Sequence, residues 1–269
     1  MRSFLTLVLA LLVLLPGSAS AQWPSQTRRG TPRTADGKPN LSAKAPLARD
    51  GKPDLGGTWL ADPDAAGKPE GVENVVFPRY FVNVAADRAN PFDLPFKGGA
   101  VDVLKQRLAT EGKEDPQSRC VPPGLPAANT FPLPVKIIQT PEVIAILYEV
   151  ESTFRQVFLD GRKLPVDPVP TLYGYSVGRW DGATLVVESN GFKDAGWLDR
   201  MGHSHSDQLK LVERFTRRDF GHMDVAMTID DPKTYTQPFT YTQRWTLLPD
   251  TELMEYYCTE NEKSRAHFK

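Results

Sequence analysis

The chain is predicted to fold as an antiparallel, all-β barrel, and three observations favour this fold class. From residue 135 onward, apolar and polar residues alternate with the two-residue period of strands that face a core. Prolines make up 24 of the 269 residues, which disfavours long helices. No segment supplies the crossover helices of a parallel sheet. A β-sandwich is the alternative, and a barrel is favoured because closure removes exposed edge strands.

The first 21 residues have the pattern of a secretory signal peptide. Arg2 supplies a positive start, residues 4–15 form an apolar segment, and an A-x-A motif places cleavage after Ala21. A membrane-spanning helix needs about 20 apolar residues, more than this segment offers, although a retained anchor is the alternative. The sequence therefore predicts a secreted or periplasmic protein with no membrane association after cleavage.

The residues that follow divide into a leader and one domain. Residues 22–53 are rich in Pro, Lys, Arg and Gly, which predicts a flexible leader. The leader holds a duplication, DGKPNL at 36–41 and DGKPDL at 50–55, and each copy is typical of a turn. Residues 54–269 are predicted to form a single barrel domain with an irregular insertion at 60–134. The net charge of −1 gives no reason to expect nucleic acid or anionic lipid as a partner.

Nine to ten strands and one short helix are expected. The second copy of the duplication leads into GGTW, so a first strand is expected at Trp59. Val101, Leu104 and Leu108 lie at i, i+3 and i+7, which predicts a helix over residues 101–110. The other strands are expected at residues 135–140, 143–150, 153–159, 175–180, 184–189, 209–217, 223–229, 239–247 and 252–258.

The strongest turn signal lies in GYSVGRWDGATLVVES, residues 174–189. Asp181 and Gly182 between two strands predict a two-residue type I′ hairpin, because Gly accepts the positive φ that this turn requires. The pairs expected in this register are Trp180 with Ala183, Gly178 with Leu185, Ser176 with Val187, Tyr175 with Glu188, and Arg179 with Thr184.

The same stretch contains a G-x-S-x-G string centred on Ser176. In serine hydrolases this motif forms a sharp strand-to-helix turn that exposes the hydroxyl beside an oxyanion hole. Here a hairpin and a second strand follow instead. The order Ser176, Asp199, His205 keeps a nucleophile as an alternative, but the context favours Ser176 as an ordinary strand residue.

Seven motifs spread over most of residues 50–262 are specific: DGKPDLxGxW, RCVPPGLP, FRQVFLDGR, GYSVGRWDGATLVVES, HSHSD, ERFTRRDFGH and EYYCTENE. Together they resemble a large group of secreted bacterial β-rich proteins of uncharacterised function, a resemblance that carries no catalytic residues. At the level of architecture alone, Gly57-Thr58-Trp59 is similar to the G-x-W strand of lipocalin-like barrels. The resemblance implies a lipocalin-like, up-and-down barrel.

The densest group of ionisable side chains is the loop at residues 199–207. His205, oriented by Asp199 or Asp207, has the unperturbed pKa near 6.5 that suits a general acid–base group. His203 and His205 at i and i+2 can alternatively bind a metal, although the sequence has no third ligand at a spacing typical of metal sites. The third hypothesis is a polar loop in which Asp207 caps the next strand. No metal is expected.

Five further polar residues fall on predicted strands. Arg155, Glu213 and Glu149 lie on apolar faces, and buried charges must be paired or meet a polar ligand. They form either an internal ion pair that ties strands together or a site that binds a ligand carboxylate or phenolate. Tyr175 and Glu188, opposite each other in the predicted register, either bind a ligand or form a cross-strand surface pair.

The two cysteines, Cys120 and Cys258, lie 258 − 120 = 138 positions apart. Export places them in an oxidising compartment, which predicts a disulfide, with two buried thiols as the alternative. Without a neighbouring histidine they do not make a zinc site. No phosphate loop, dinucleotide fingerprint or haem motif is present, so no cofactor is expected.

The leading hypothesis for function is a cofactor-free enzyme that moves a proton on a small organic molecule, as a lyase, isomerase or hydratase does. His205 with Asp207 or Asp199 is then the acid–base group, and Arg155 and Glu213 orient the substrate in a pocket inside the barrel. One alternative is a periplasmic barrel that binds a ligand in this pocket without chemistry. The others are a structural envelope protein and a metal-dependent or serine hydrolase.

Overall fold

The computed structural model describes residues 27–63, 76–90, 92–194 and 196–259, so the predicted signal peptide lies outside the described residues. Nine strands close into one barrel, each beside its neighbour in the sequence, which confirms the predicted all-β barrel. The strands are β1 (Gly57–Ala61), β2 (Val135–Gln139), β3 (Val143–Tyr148), β4 (Thr153–Phe158), β5 (Tyr175–Asp181), β6 (Thr184–Asn190), β7 (Lys210–Arg217), β8 (His222–Asp230) and β9 (Phe239–Leu247).

One strand pair departs from the antiparallel prediction. β4 and β5 run parallel and meet only through Val157 opposite Ser176 and Phe158 opposite Val177. The long link at 159–174 allows this, because a parallel pair needs a connection of about a dozen residues or more. The barrel is therefore mixed.

The predicted strand at 252–258 is not present. β1 pairs with β9, with Trp59 opposite Leu247, so closure leaves no free edge for a tenth strand. Residues 252–257 instead run as irregular chain beside the turn that follows β3. The Cys120–Cys258 disulfide, as predicted, joins this C-terminal segment to the insertion.

The described part of the insertion contains three short α-helices: α1 (Arg79–Val82), α2 (Ala100–Ala109) and α3 (Ala127–Thr130). α2 confirms the predicted helix, whereas α1 and α3 are single turns, too short to give a periodic signal. Among the described residues, no helix is long and apolar enough to cross a membrane.

The leader, residues 27–53, differs from the flexible chain that its composition predicts. Arg33 donates to both carboxylate oxygens of Asp250 at 2.7 and 2.9 Å, and the backbone amide of Arg28 reaches the same carboxylate at 3.2 Å. The backbone amide of Gly221 donates to the carbonyl of Leu41 at 2.7 Å. These contacts fix the leader against the end of the barrel where β1 begins and β9 ends.

The side chains that point into the barrel pack as one core, which residues of the insertion complete. The rings of Phe215 and Trp245 meet edge to face at 5.9 Å. From the insertion, Tyr80 stacks on Tyr241 at 4.7 Å, and all four residues of α3 are buried. The insertion thus fills the barrel from the end opposite the leader.

Candidate functional site

An ion pair lies inside the barrel. Arg155 on β4 donates to Glu213 on β7 through two bonds, Nη1 to Oε1 at 3.1 Å and Nη2 to Oε2 at 2.5 Å. The two side chains are 1% and 0% exposed. Both residues fall on the inward faces that the sequence predicts.

Two further donors of Arg155 bond within the barrel wall. Its Nε donates to the hydroxyl of Ser176 on β5 at 2.9 Å, and its Nη2 donates to the hydroxyl of Ser189 on β6 at 2.9 Å. These two hydroxyls also bond each other at 2.9 Å. One guanidinium thus ties together β4, β5, β6 and β7.

The insertion completes this network through Asn129 of α3. Its amide donates to Glu213 at 2.5 Å, and its carbonyl oxygen accepts from the hydroxyl of Tyr148 at 2.8 Å. The indole of Trp245 donates to the backbone carbonyl of Asn129 at 3.0 Å. The sequence pattern does not predict the inward position of Asn129, because a helix of one turn is too short to show a periodic pattern.

Arg155 and Glu213 form an ion pair that is shielded from solvent. Burial by itself lowers the pKa of Arg155, but the charge of Glu213 and the contact with Tyr148 outweigh it, and the pKa is raised. Burial raises the pKa of the Tyr148 phenol, because it disfavours the charged phenolate. The arginine is therefore cationic and makes four hydrogen bonds inside the barrel, which supports the strand-tying hypothesis over a ligand carboxylate on Arg155.

The predicted hairpin register is wrong by two residues. Asp181 pairs with Thr184, so the loop is Gly182-Ala183, and Gly182 supplies the positive φ of 59°. Only the first loop residue has positive φ, as in a type II′ turn and unlike the predicted type I′. The observed pairs are Trp180 with Leu185, Arg179 with Val186, Gly178 with Val187, Ser176 with Ser189, and Tyr175 with Asn190.

Ser176 does not have the exposed position at a sharp turn that a catalytic serine requires. It lies within β5, is 1% exposed, and its hydroxyl is shared with Arg155 and Ser189. The strand continues past it into a hairpin, as the sequence context indicates. The serine is part of the barrel wall.

Tyr175 and Glu188 do not meet. The Tyr175 hydroxyl accepts from Arg162 at 3.0 Å on the outer surface. Glu188, 46% exposed at its side chain, lies 3.6 Å from Arg179. The two-residue shift of the hairpin separates the pair.

Glu149 lies outside the barrel interior. β3 ends at Tyr148, one residue earlier, and the next residues form a single 3₁₀ turn. The Glu149 carboxylate accepts the backbone amide of Met254 at 3.1 Å and so fixes the C-terminal segment. The predicted strand is two residues too long at this point.

The loop after β6 pairs Asp199 with His203 rather than with His205. His203 Nδ1 lies 2.6 Å from Asp199 Oδ2, and both side chains are 0% exposed. The same carboxylate accepts the backbone amides of Val84 at 2.7 Å, Gly202 at 3.0 Å and His203 at 3.2 Å. The dyad therefore anchors the loop to the insertion.

His205 is buried at 8% exposure, and its Nδ1 lies 3.2 Å from the carbonyl of Ser206. Burial lowers the pKa of its imidazole, so His205 is neutral at pH 7. Asp207 instead bonds Lys233 on the surface at 2.6 Å, which lowers the pKa of that carboxyl. The structure thus gives each aspartate of the predicted acid–base group a different partner.

The alternative hypothesis is a metal bound by His203 and His205, and the described residues supply no third ligand for it. Among the described residues, no group of three or more His, Cys, Asp and Glu side chains is placed to hold a metal ion. The Nδ1 atom of His203 is engaged by Asp199.

A large apolar cleft lies outside the barrel, between the insertion and the C-terminal segment. Its volume is about 700 Å³. Phe81 is its aromatic centre, with ring centroids 5.5 Å from Phe77 and 5.0 Å from Phe131. The lining residues are Phe77, Phe81, Val82, Leu108, Gln117, Ser118, Phe131, Pro132, Leu133, Arg200, Met201 and Tyr256. We call this site the aromatic cleft.

The polar groups of the aromatic cleft lie beside the disulfide. Gln117 and Ser118 belong to the 3₁₀ turn Pro116–Arg119, directly before Cys120. Arg200, 40% exposed at its side chain, pairs with the buried carboxylate of Asp115. The cleft thus presents aromatic rings together with amide, hydroxyl and guanidinium groups.

Sequence reasoning missed this site because its residues come from six separate stretches of the chain, and only Leu108 on α2 belongs to an element that periodicity predicts. In the sequence, the RCVPPGLP motif begins one residue after the lining residue Ser118, and the EYYCTENE motif contains the lining residue Tyr256. No protein-family model matches this chain, and neither the curated proteins nor the solved structures contain a significant match.

Proposed function

We propose that this protein is an exported binding protein that holds a small aromatic molecule in the aromatic cleft. The observation that supports this proposal is the cleft, whose volume of about 700 Å³ falls within the range of small-molecule sites. Its composition, mostly apolar with a few converging polar groups, is typical of such sites.

The kind of ligand follows from the lining. The tilted and edge-to-face rings of Phe77, Phe81 and Phe131 offer faces and edges on which a flat ring can pack. Arg200 at the margin pairs with Asp115 through Nη1, and the other N–H groups of its 40% exposed guanidinium can donate to an acidic group on the ligand. A bicyclic aromatic acid combines both features.

Binding is favoured over acid–base catalysis because of what lines the cleft. Among the described residues, its lining includes no His, Asp or Glu, the side chains that most often act as general bases. The histidine of the enzyme hypothesis, His205, is buried outside this lining.

The test uses 8-anilinonaphthalene-1-sulfonate, an aromatic anion whose fluorescence rises in apolar surroundings, with competition by 1-naphthoate. Leu108 on α2 lines the cleft and is 37% exposed, so Leu108→Asp is expected to fold and to weaken binding about tenfold or more. Val103 lies on the same helix, is 40% exposed and does not line the cleft. Val103→Asp is the matched control and should bind as the wild type does. Saturable binding that both substitutions leave unchanged would place the ligand elsewhere.

A further inference from the structure

The described residues include two buried arginines, Arg155 at 3% exposure and Arg217 at 7%. The charge of Arg155 is compensated by the carboxylate of Glu213 inside the barrel. Arg217, the last residue of β7, forms no ion pair with a carboxylate of the described chain. A buried charge without a counter-charge is costly, so Arg217 favours an anionic ligand wherever one can reach it.

The guanidinium of Arg217 is fixed in place by neutral groups. Its Nε donates to the backbone carbonyl of Asp219 at 3.1 Å. Its Nη1 and Nη2 donate to the backbone carbonyls of Asp54 and Phe220. Its Cζ atom lies 4.9 Å from the centroid of the Trp59 ring. A guanidinium has five N–H groups and these bonds use three, so one N–H on each Nη atom is left for a ligand.

Arg217 lines a depression of about 270 Å³ at the end of the barrel where β1 begins. Arg29, which is exposed and forms no ion pair within the described chain, lines the same depression. Thr31 adds a hydroxyl group. Arg28 also belongs to the lining, but its charge is neutralised by Glu252 at 3.2 Å. One buried and one exposed guanidinium therefore remain for a ligand.

Asp54 is the only acidic residue in the described lining of this depression. Its Oδ1 atom accepts the backbone amide of Gly56 at 2.8 Å, and its carboxylate forms no ion pair with Arg217. Burial lowers the pKa of Arg217 to about 10, and the charges of Asp54 and Asp219 offset only part of this effect. Arg29 and Arg217 together therefore outweigh the one carboxylate of the lining.

We propose that this depression binds a small oxyanion with two negative charges, such as phosphate, between the guanidinium groups of Arg217 and Arg29. Two cations without carboxylate partners match the charge of a dianion, and the N–H groups of a guanidinium suit the oxygens of phosphate. The bonds to three carbonyls and the contact with Trp59 hold Arg217 in place before the ligand arrives. The insertion lies at the opposite end of the barrel, so this proposal does not depend on the aromatic cleft.

The test is calorimetric titration of the chain that begins at Gln22 with sodium phosphate. A pH of about 8 keeps phosphate mostly dianionic, and chloride keeps the ionic strength constant. We expect saturable binding at one site, with sulfate able to replace phosphate. Acetate should bind about tenfold more weakly or less, because a single negative charge uses only one of the two cations.

Arg29→Glu is the first variant, because Arg29 is exposed and the substitution should not disturb the fold. It should lower the affinity for phosphate about tenfold or more, since it places a negative charge in the lining. Lys44→Glu is the matched control: it makes the same charge reversal at an exposed residue of the leader that does not line the depression. It should bind phosphate as the wild type does.

Arg217→Lys keeps the positive charge but removes the planar guanidinium, and it should also lower the affinity about tenfold. Circular dichroism checks that this variant folds, and if it does not fold, the comparison of Arg29→Glu with Lys44→Glu decides the test. Three results overturn the proposal: no saturable binding by the wild type, equal losses in Arg29→Glu and Lys44→Glu, or acetate binding as tightly as phosphate.

Discussion

Glu213 and Arg155 meet through two parallel hydrogen bonds in the centre of the barrel, with both side chains out of contact with solvent. Removal of one partner from such a buried pair leaves an uncompensated charge, which costs about 3–5 kcal/mol. We therefore expect Glu213→Gln to lower the free energy of unfolding by this amount in urea titrations. The double variant Arg155→Met, Glu213→Leu should recover most of the loss, because no charge remains buried.

The matched control is the exposed pair of Arg214 and Asp181, 2.9 Å apart with side chains 47% and 56% exposed. Asp181→Asn should change the free energy of unfolding by less than about 1 kcal/mol, since water solvates the remaining arginine. If Glu213→Gln is as mild as this control, the interior pair does not hold the strands together.

Ser176 should be inert toward a fluorophosphonate that labels catalytic serines. Its hydroxyl is buried and engaged by Arg155 and Ser189. Ser176→Ala should instead cost about 1–3 kcal/mol of stability, because it leaves Nε of Arg155 without its acceptor. Labelling of the native protein at one site, lost in this variant, would restore the hydrolase hypothesis.

The burial of His205 should make stability depend on pH. The pKa of its imidazole is lowered in the folded protein, whereas the unfolded chain binds a proton near pH 6.5. The unfolded state therefore binds more protons as the pH falls below about 6.5, and the free energy of unfolding should decrease by up to about 1.4 kcal/mol per pH unit. His205→Gln should flatten this dependence in urea titrations between neutral and mildly acidic pH. A slope that His205→Gln leaves unchanged would show that another group sets the pH dependence.

The sequence predicts the barrel well because strand periodicity reports directly on which side chains face a core. Along β9, Phe239, Tyr241, Gln243 and Trp245 alternate, and all four are buried as the pattern indicates. The same alternation places Arg155 and Glu213 on inward faces. The position of buried charges was therefore predictable, and their mutual pairing was one of two hypotheses.

Other features depend on choices that periodicity does not encode. A loop of Gly182-Ala183 and one of Asp181-Gly182 both fit the pattern, and the difference shifts every cross-strand partner by two residues while preserving which face each occupies. The partners of Asp199 and Asp207 depend on how an irregular loop folds, which no period constrains. The aromatic cleft likewise arises only when distant loops pack together.

The disulfide joins two segments that no barrel strand holds. Neither Cys120 nor Cys258 lies in a strand, and the backbone amide of Cys258 is held by the Glu151 carboxylate at 3.1 Å. In the loop-entropy model a closed loop of this length stabilises the fold by about 4–5 kcal/mol. Cys120→Ser with Cys258→Ser should lower the free energy of unfolding accordingly and leave the β-sheet circular dichroism intact.

The same variant connects stability to the aromatic cleft. Tyr256 lines the cleft two residues before Cys258, and Gln117 lies three residues before Cys120, so the disulfide fixes the two walls relative to each other. Loss of the disulfide should weaken binding of the naphthalene sulfonate, and wild-type protein reduced with a dithiol should behave as the double variant does. A double variant as stable as the oxidised wild type would mean that the noncovalent contacts, among them those of Glu149 and Glu151, suffice to hold the C-terminal segment.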